Sequence, residues 1–99
     1  MLDLDKYINN TISVKLKRQE IHVKEPTIAM IGKIDAIEDG VNKENAREKR
    51  VEIAAMMLSH NEEGRKIKEE ELMEMPYEAV IAVINTVAKM RLEADQDPN

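Results

Sequence analysis

An apolar stripe in the last quarter of the chain places the strongest constraint on what this sequence can fold into. From residue 77 to residue 92, apolar side chains return at alternating intervals of three and four, as on one buried face of an α-helix. The stripe consists of Tyr77, Val80, Ile81, Ile84, Val87, Ala88 and Leu92. Pro76 precedes it, where a fixed φ and a missing N–H suit the first turn of a helix. We therefore predict a long helix over 77–92 and expect the shorter, more polar segments upstream to pack against it.

Residues 12–24 alternate apolar and polar side chains, which is the pattern of a β-hairpin. The alternation is interrupted at 18–20. The apolar residues that share one face are Ile12, Val14, Leu16, Ile21 and Val23. Because two strands alone are marginally stable in water, we expect this face to pack on helices. An alternative that the sequence leaves open is that the hairpin pairs with another subunit.

Two further helices are predicted between the hairpin and the last helix. Thr27 is a suitable N-cap for a helix over 28–38, and Gly40 suits the left-handed conformation that often follows a helix. The second helix runs from about 43 to 59; we expect its charged first half to be solvated and its apolar second half to be buried. The segment 69–74 is long enough for one helical turn.

These elements predict a mainly α (α+β) fold, a three-helix domain with an N-terminal β-hairpin. A chain of 99 residues has the length of a single domain. The predicted parts are a lead-in (1–11), the hairpin (12–24), a helical body (27–92) and a disordered acidic tail (93–99). Because the chain has no Phe and no Trp, its core must be built from aliphatic side chains and methionine.

The composition argues against several classes of partner. The formal net charge is −5, whereas a nucleic-acid-binding protein usually presents a basic face, so no nucleic-acid partner is expected. No apolar run approaches the roughly 20 residues of a membrane span, so no membrane partner is expected. The absence of Cys excludes disulfides and thiolate metal sites and fits a reducing cytoplasm.

The sequence offers no catalytic or metal-binding motif. His22 and His60 have no Cys or paired carboxylate at ligand spacing. Ser13 and Ser59 have no base placed by a motif, and the chain contains no glycine-rich phosphate loop. We therefore expect a protein that is not an enzyme and that uses no cofactor and no metal.

Two short motifs resemble those of a known family. Val-Lys-Glu-Pro-Thr at 23–27 links the hairpin to the first helix, and Glu-Glu-Glu-Leu-Met-Glu-Met-Pro-Tyr-Glu-Ala-Val at 69–80 leads into the last one. Together with the order of elements over 12–92, they resemble the tail assembly chaperones of long-tailed bacteriophages and prophages of Gram-positive bacteria, whose motifs are similar to V-K-E-P-T and E-E-L-x-x-L-P-x-E-x. Met75 stands where that family more often has Leu, a difference that conserves volume.

The resemblance implies a non-enzymatic cytoplasmic protein that binds the tape measure protein, helps to recruit tail tube protein, and is absent from the mature virion. Flexible methionine side chains suit the binding of a helical client. We predict that a partner-binding surface is formed by Leu72, Met73, Met75, Tyr77 and Met90. Unpaired strand edges also leave a homo-oligomer open.

Two alternative functions remain. One is a small phage regulatory or DNA-associated helical protein, in which the second helix would contact DNA. Its basic and amide residues are Lys43, Asn45, Arg47, Lys49 and Arg50, although interleaved glutamates would repel phosphates. The other is a minor virion component, such as a tail completion protein, which would remain in purified particles.

Overall fold

The structure, a computed structural model, describes the backbone of residues 1–96 and the side chains of residues 1–90. It confirms the predicted fold class: in the described part, helices dominate and one antiparallel hairpin lies near the N-terminus. The elements are α1 (Asp5–Ile8), β1 (Thr11–Leu16), β2 (Gln19–Lys24), α2 (Ile28–Asp39), α3 (Ala46–Ser59), α4 (Glu69–Met73) and α5 (Tyr77–Gln96).

The hairpin has the predicted apolar face, and its turn lies one residue earlier than the interruption in the pattern. Leu16 pairs with Gln19, so the loop is only Lys17 and Arg18, and both have positive φ, 51° and 68°. Two residues in this left-handed region match the twist of the flanking strands, which is why such a short loop closes the hairpin without glycine. The core-facing residues of both strands pack on the helices, with Val23 fully buried.

Helix α3 lies at the centre of the fold. The sequence pattern had assigned this position to the last helix. Helix α3 packs against α2, α4, α5 and β2, and most of its second half is buried, as predicted. Helix α3 can occupy this central position because the small side chains of buried Ala54 and Ala55 let neighbouring elements approach closely. Helix α5 contributes Val80, Val87 and Met90 to the same core.

Helix α2 begins as predicted but packs only loosely. Thr27 caps it, because its hydroxyl oxygen accepts a hydrogen bond from the Met30 N–H at 3.1 Å. All residues of α2 stay partly or fully exposed; Ile34 and Ile37 pack on the edge of the core, whereas Ile28 is 90% exposed. The first turn of α2, which follows the hairpin in the chain, therefore exposes an apolar side chain, that of Ile28.

The junction between α2 and α3 differs from the prediction. Gly40 was expected in the left-handed region, but its φ is −92°, and α3 begins at Ala46 instead of near residue 43. Two asparagines explain both differences. Asn45 donates from its side chain to the Gly40 carbonyl at 3.0 Å, and the Asn42 side chain accepts from the Glu44 and Asn45 N–H groups. These side chains replace the helical bonds of the backbone, so the helix starts only after them.

Both ends of the chain depart from the predicted boundaries. The lead-in 1–11 contains α1 and the first residue of β1, and α5 continues to Gln96, so residues 93–96 of the predicted disordered tail are helical. No helix-breaking residue occurs before Pro98, which accounts for the extension. The last part of that tail, 97–99, lies outside the described residues.

Among the helices in the described part of the chain, none combines the length and the apolar composition needed to cross a bilayer.

Candidate functional site

The five residues predicted to bind a partner do not form one exposed surface. Leu72 and Met90 are core residues, 1% and 3% exposed. Met75 packs against the core, and Tyr77 is half-buried, with its phenol oxygen accepting a hydrogen bond from Arg50 Nη1 at 2.8 Å. Only Met73, at 57% exposed, is freely accessible. Because the helical spacing places Leu72 and Met90 in the core and turns Met73 to solvent, the expectation of one shared surface is wrong.

An open groove lies between α2, α3 and the segment 66–70. Its volume is about 800 Å³. Met30 from α2 and Met56 from α3 are both half-buried there, and Ala55 and Ile67 complete an apolar floor. We call this surface the methionine groove. Unbranched methionine side chains adapt their shape to different partners, so the groove suits an apolar ligand of variable outline.

Charged residues of both signs surround the methionine groove. They are Lys33, Lys66, Lys68, Glu52, Glu69 and Glu70. His60 also lines it, and partial burial, followed by the charge of Lys24, lowers the pKa of this imidazole. The neutral form of His60 is therefore favoured, and the rim carries balanced charge around an apolar floor.

The loop between α3 and α4 positions one wall of the groove. The Ser59 hydroxyl accepts from the Ile67 N–H at 2.9 Å and lies 3.2 Å from the Ile67 carbonyl, to which it donates. This pair of bonds holds Ile67 against the end of α3, where its side chain is 2% exposed. Because its hydroxyl is committed to this backbone, Ser59 has a structural role here and not that of a nucleophile.

Asn61 organises the same loop and is the one buried polar residue of the described chain. Its side-chain amide donates to the carbonyls of Leu58 (2.8 Å) and Arg65 (2.7 Å), and its oxygen accepts from the Arg65 N–H (2.9 Å). Sequence reasoning missed this residue, because the segment is polar and its partners are a helix end and a loop. The isolated Ile67 in that polar stretch was the only signal that the loop is anchored.

A second cluster joins the hairpin to this loop. His22 Nδ1 lies 2.6 Å from Glu63 Oε2, and His22 Nε2 lies 3.3 Å from Glu20 Oε2. The hydrogen bond to Glu63 is the main cause of a raised pKa of His22, and the same bond lowers the pKa of Glu63. Ligand atoms of His22, Glu62 and Glu63 lie within 4.8 Å of one another. Hydrogen bonds account for the contacts of His22, and exposed carboxylates are common without an ion, so we treat the group as an ion-pair cluster.

The N-terminal segment carries further exposed apolar side chains. Met1, Leu2, Leu4 and Ile8 are each more than half exposed. They lie on or next to α1, a helix of four residues with no buried side chain. Together with Ile28 at the start of α2, they add to the apolar surface that the described chain presents.

The helix that would contact DNA in the alternative function carries fewer of the predicted basic and amide residues than expected. Because α3 begins at Ala46, the predicted residues 43 and 45 lie before it. Two of the remaining cations face acids: Lys49 Nζ lies 3.9 Å from Glu52, and Arg50 Nε lies 3.8 Å from Glu38. These contacts reduce the positive potential available to a phosphate backbone.

Comparison of the chain with protein-family models, with curated proteins and with solved structures finds no match.

Proposed function

We propose that this protein is a non-catalytic tail assembly chaperone of a long-tailed bacteriophage or prophage of Gram-positive bacteria. It binds helical segments of the tape measure protein in the host cytoplasm, helps to recruit tail tube protein, and leaves before the virion is complete. The proposal starts from the resemblance of the motifs at 23–27 and 69–80. The structural observation that carries it is the methionine groove.

The floor of the groove supports binding of an amphipathic helix. Such a helix lays its apolar stripe into a hydrophobic groove and keeps its polar face in water. Met30 and Met56 line the groove from two different helices, so their side chains can adjust together to successive client segments. A chaperone for a long helical protein needs this tolerance, because each segment presents a different set of side chains.

The loose packing of α2 supports the same function. Its contacts with the core come from Ile34 and Ile37 in its second half, while Ile28 at its start is exposed. Elements with few buried contacts move at low free-energy cost. A small displacement of the start of α2, which carries Met30, would widen the groove.

The rim supports solubility and a helical client of mixed charge. Lysines and glutamates both line the groove beside its apolar floor, so the groove stays hydrated. The same charges can pair with both acids and bases on the polar flanks of a client helix. Strongly acidic or strongly basic clients would instead meet like charges.

Co-expression with the tape measure protein of the same genome tests the function. The proposal predicts that the tape measure protein becomes soluble and co-purifies with this chain. A Met56→Gln variant should weaken co-purification, whereas Met73→Gln, the same change on the exposed face of α4, should not. Equal solubility of the tape measure protein with and without this chain would contradict the function. If Met56→Gln leaves co-purification unchanged, the chaperone function would stand, but the methionine groove would be rejected as the binding site.

We also propose that the chain self-associates through the outer edge of β1. Ser13 pairs with His22, whose backbone N–H and carbonyl are bonded to the α3–α4 loop on the far side. In an antiparallel pair this makes Ser13 a non-hydrogen-bonded position, so its own N–H and carbonyl point outward. Within residues 1–96 no backbone hydrogen bond reaches that edge. Antiparallel pairing of two β1 strands about Ser13 would set Lys15 opposite Thr11, and no like charges would face each other directly.

A further inference from the structure

The hairpin is joined to the α3–α4 loop by backbone hydrogen bonds along the outer edge of β2. The Lys24 N–H donates to the His60 carbonyl at 2.9 Å, and the Glu62 N–H donates to the His22 carbonyl at 3.0 Å. Val23 and Asn61 are the bridge partners between these two bonds. The loop thus continues the sheet for a short distance, and this junction connects the hairpin to the segment that carries Asn61.

One carboxylate closes the junction from the side. Glu63 Oε1 accepts from the His22 backbone N–H at 2.8 Å, and Glu63 Oε2 lies 2.6 Å from Nδ1 of the same residue. The ring's other nitrogen, Nε2, lies 3.3 Å from Glu20 on the same strand. The imidazole therefore has a carboxylate at each nitrogen, one from its own strand and one from the loop.

We propose that His22 and Glu63 form a protonation-dependent clamp that fastens the hairpin to the α3–α4 loop. An imidazolium donates from both nitrogens, so it satisfies Glu20 and Glu63 at once. A neutral imidazole has one donor and one acceptor. When His22 loses its proton, one of its two nitrogens must face a carboxylate oxygen with a lone pair, and the ion pair across the junction disappears.

The charged groups around His22 favour the protonated state. Glu20 lies beside it on β2, and Glu62 and Glu63 approach from the loop. On the same face of the hairpin, Lys24 is two residues along β2 and Lys15 is diagonal to His22 on β1. Ser13, directly opposite on β1, is uncharged. The pKa of His22 is raised, with the Glu63 hydrogen bond as the largest cause, and the three carboxylates together outweigh the opposing effect of desolvation.

The clamp has a pH window set by its two members. Because the pKa of His22 is raised on folding, its contribution is complete below the ordinary value of 6.5 and is lost as pH rises through the raised value. Because the pKa of Glu63 is lowered, its contribution is present above the ordinary value of 4.5 and is lost as pH falls through the lowered value. The clamp is therefore closed in mildly acidic solution and loosens on either side.

Amide hydrogen exchange of the full chain, followed by NMR together with the ring signals of His22, tests the clamp. The two reporters are the Lys24 and Glu62 amides, which bridge the junction. After correction for intrinsic exchange, their protection should fall about twofold to fivefold as His22 loses its proton, the range expected for an exposed charge pair. Unchanged protection across the His22 titration would overturn the proposal.

Two matched variants separate the clamp from general electrostatics. In Glu63→Gln, protection of both amides should be lower and should no longer follow His22. In Glu20→Gln, the pKa of His22 should decrease, because a carboxylate that raises it is removed. Protection should still follow the protonation of His22, because its contact with Glu63 across the junction remains. An identical pH dependence in Glu63→Gln and in the unaltered protein would overturn the proposal.

Discussion

Replacing Asn61 with alanine is expected to lower the free energy of unfolding by about 2–3 kcal/mol, because three hydrogen bonds are lost together. The side chain of Asn61 is the only polar one in the described core, at 6% exposed. Its amide satisfies two carbonyls, those of Leu58 and Arg65, and its oxygen satisfies the Arg65 N–H. Alanine leaves all three backbone groups without this partner.

The magnitude follows from the position of those groups. A hydrogen bond between neutral groups contributes roughly 0.5–1.5 kcal/mol net, and a buried group left unsatisfied costs more than the average. The bond to Leu58 is buried, whereas the two to Arg65 are part-buried and can be replaced in part by water. We therefore place the sum in the lower half of the range for three bonds. A domain of this size has a total stability of about 5–15 kcal/mol, so the loss is a large fraction of it.

Urea denaturation monitored by circular dichroism measures the effect. Asn85→Ala, the same change at an exposed position of α5, is the matched control and should stay within about 0.5 kcal/mol, on the stabilising side, because alanine is the better helix former. Asn61→Asp keeps the size and the acceptor oxygen but removes the two donors, so it should also destabilise at neutral pH. A change at Asn61→Ala no larger than at Asn85→Ala would refute the reasoning. So would an Asn61→Asp variant as stable as the unaltered protein.

Two further predictions concern the hairpin. Arg18→Gly should raise the free energy of unfolding by about 0.5–1 kcal/mol in urea denaturation, because it removes the strain of a side chain at positive φ, 68°; a destabilised variant would show that the Arg18 side chain makes a larger contribution. Light scattering at high concentration should give a multiple of the 11.4 kDa chain mass, and Ser13→Pro should reduce it to a monomer while leaving the hairpin intact, since proline removes only an outward N–H. A strictly monomeric unaltered protein would contradict pairing through β1.

The predictions that the structure confirms depend on local signals. Alternation of apolar residues defines the hairpin, Thr27 is followed directly by α2, and α4 lies where one helical turn was expected. Each of these features depends on residues close together in sequence, so periodicity and capping rules are sufficient. The start of α3 was misplaced because side chains of Asn42 and Asn45 compete with helical backbone bonds, which residue spacing alone does not reveal.

The site was less predictable, because contacts between distant segments define it. The methionine groove joins Met30 to Met56 and to Ile67, and no local pattern marks them as neighbours. The contact between His22 and Glu63 spans 41 positions in sequence. The predicted surface failed for a related reason: the motif around Leu72 predicts a helix, but periodicity does not distinguish a buried face from a binding face.

Methyl NMR of the full chain, labelled at its seven methionines, tests the central claim most directly when a soluble helical fragment of the tape measure protein is added. The account predicts that the signals of Met30 and Met56 shift or broaden in proportion to bound fragment, while Met73, exposed outside the groove, is unaffected. Shifts confined to Met73 would place the client on the face of α4 and reject the groove. No shift at any methionine at saturating fragment would contradict the proposed binding of a helical client.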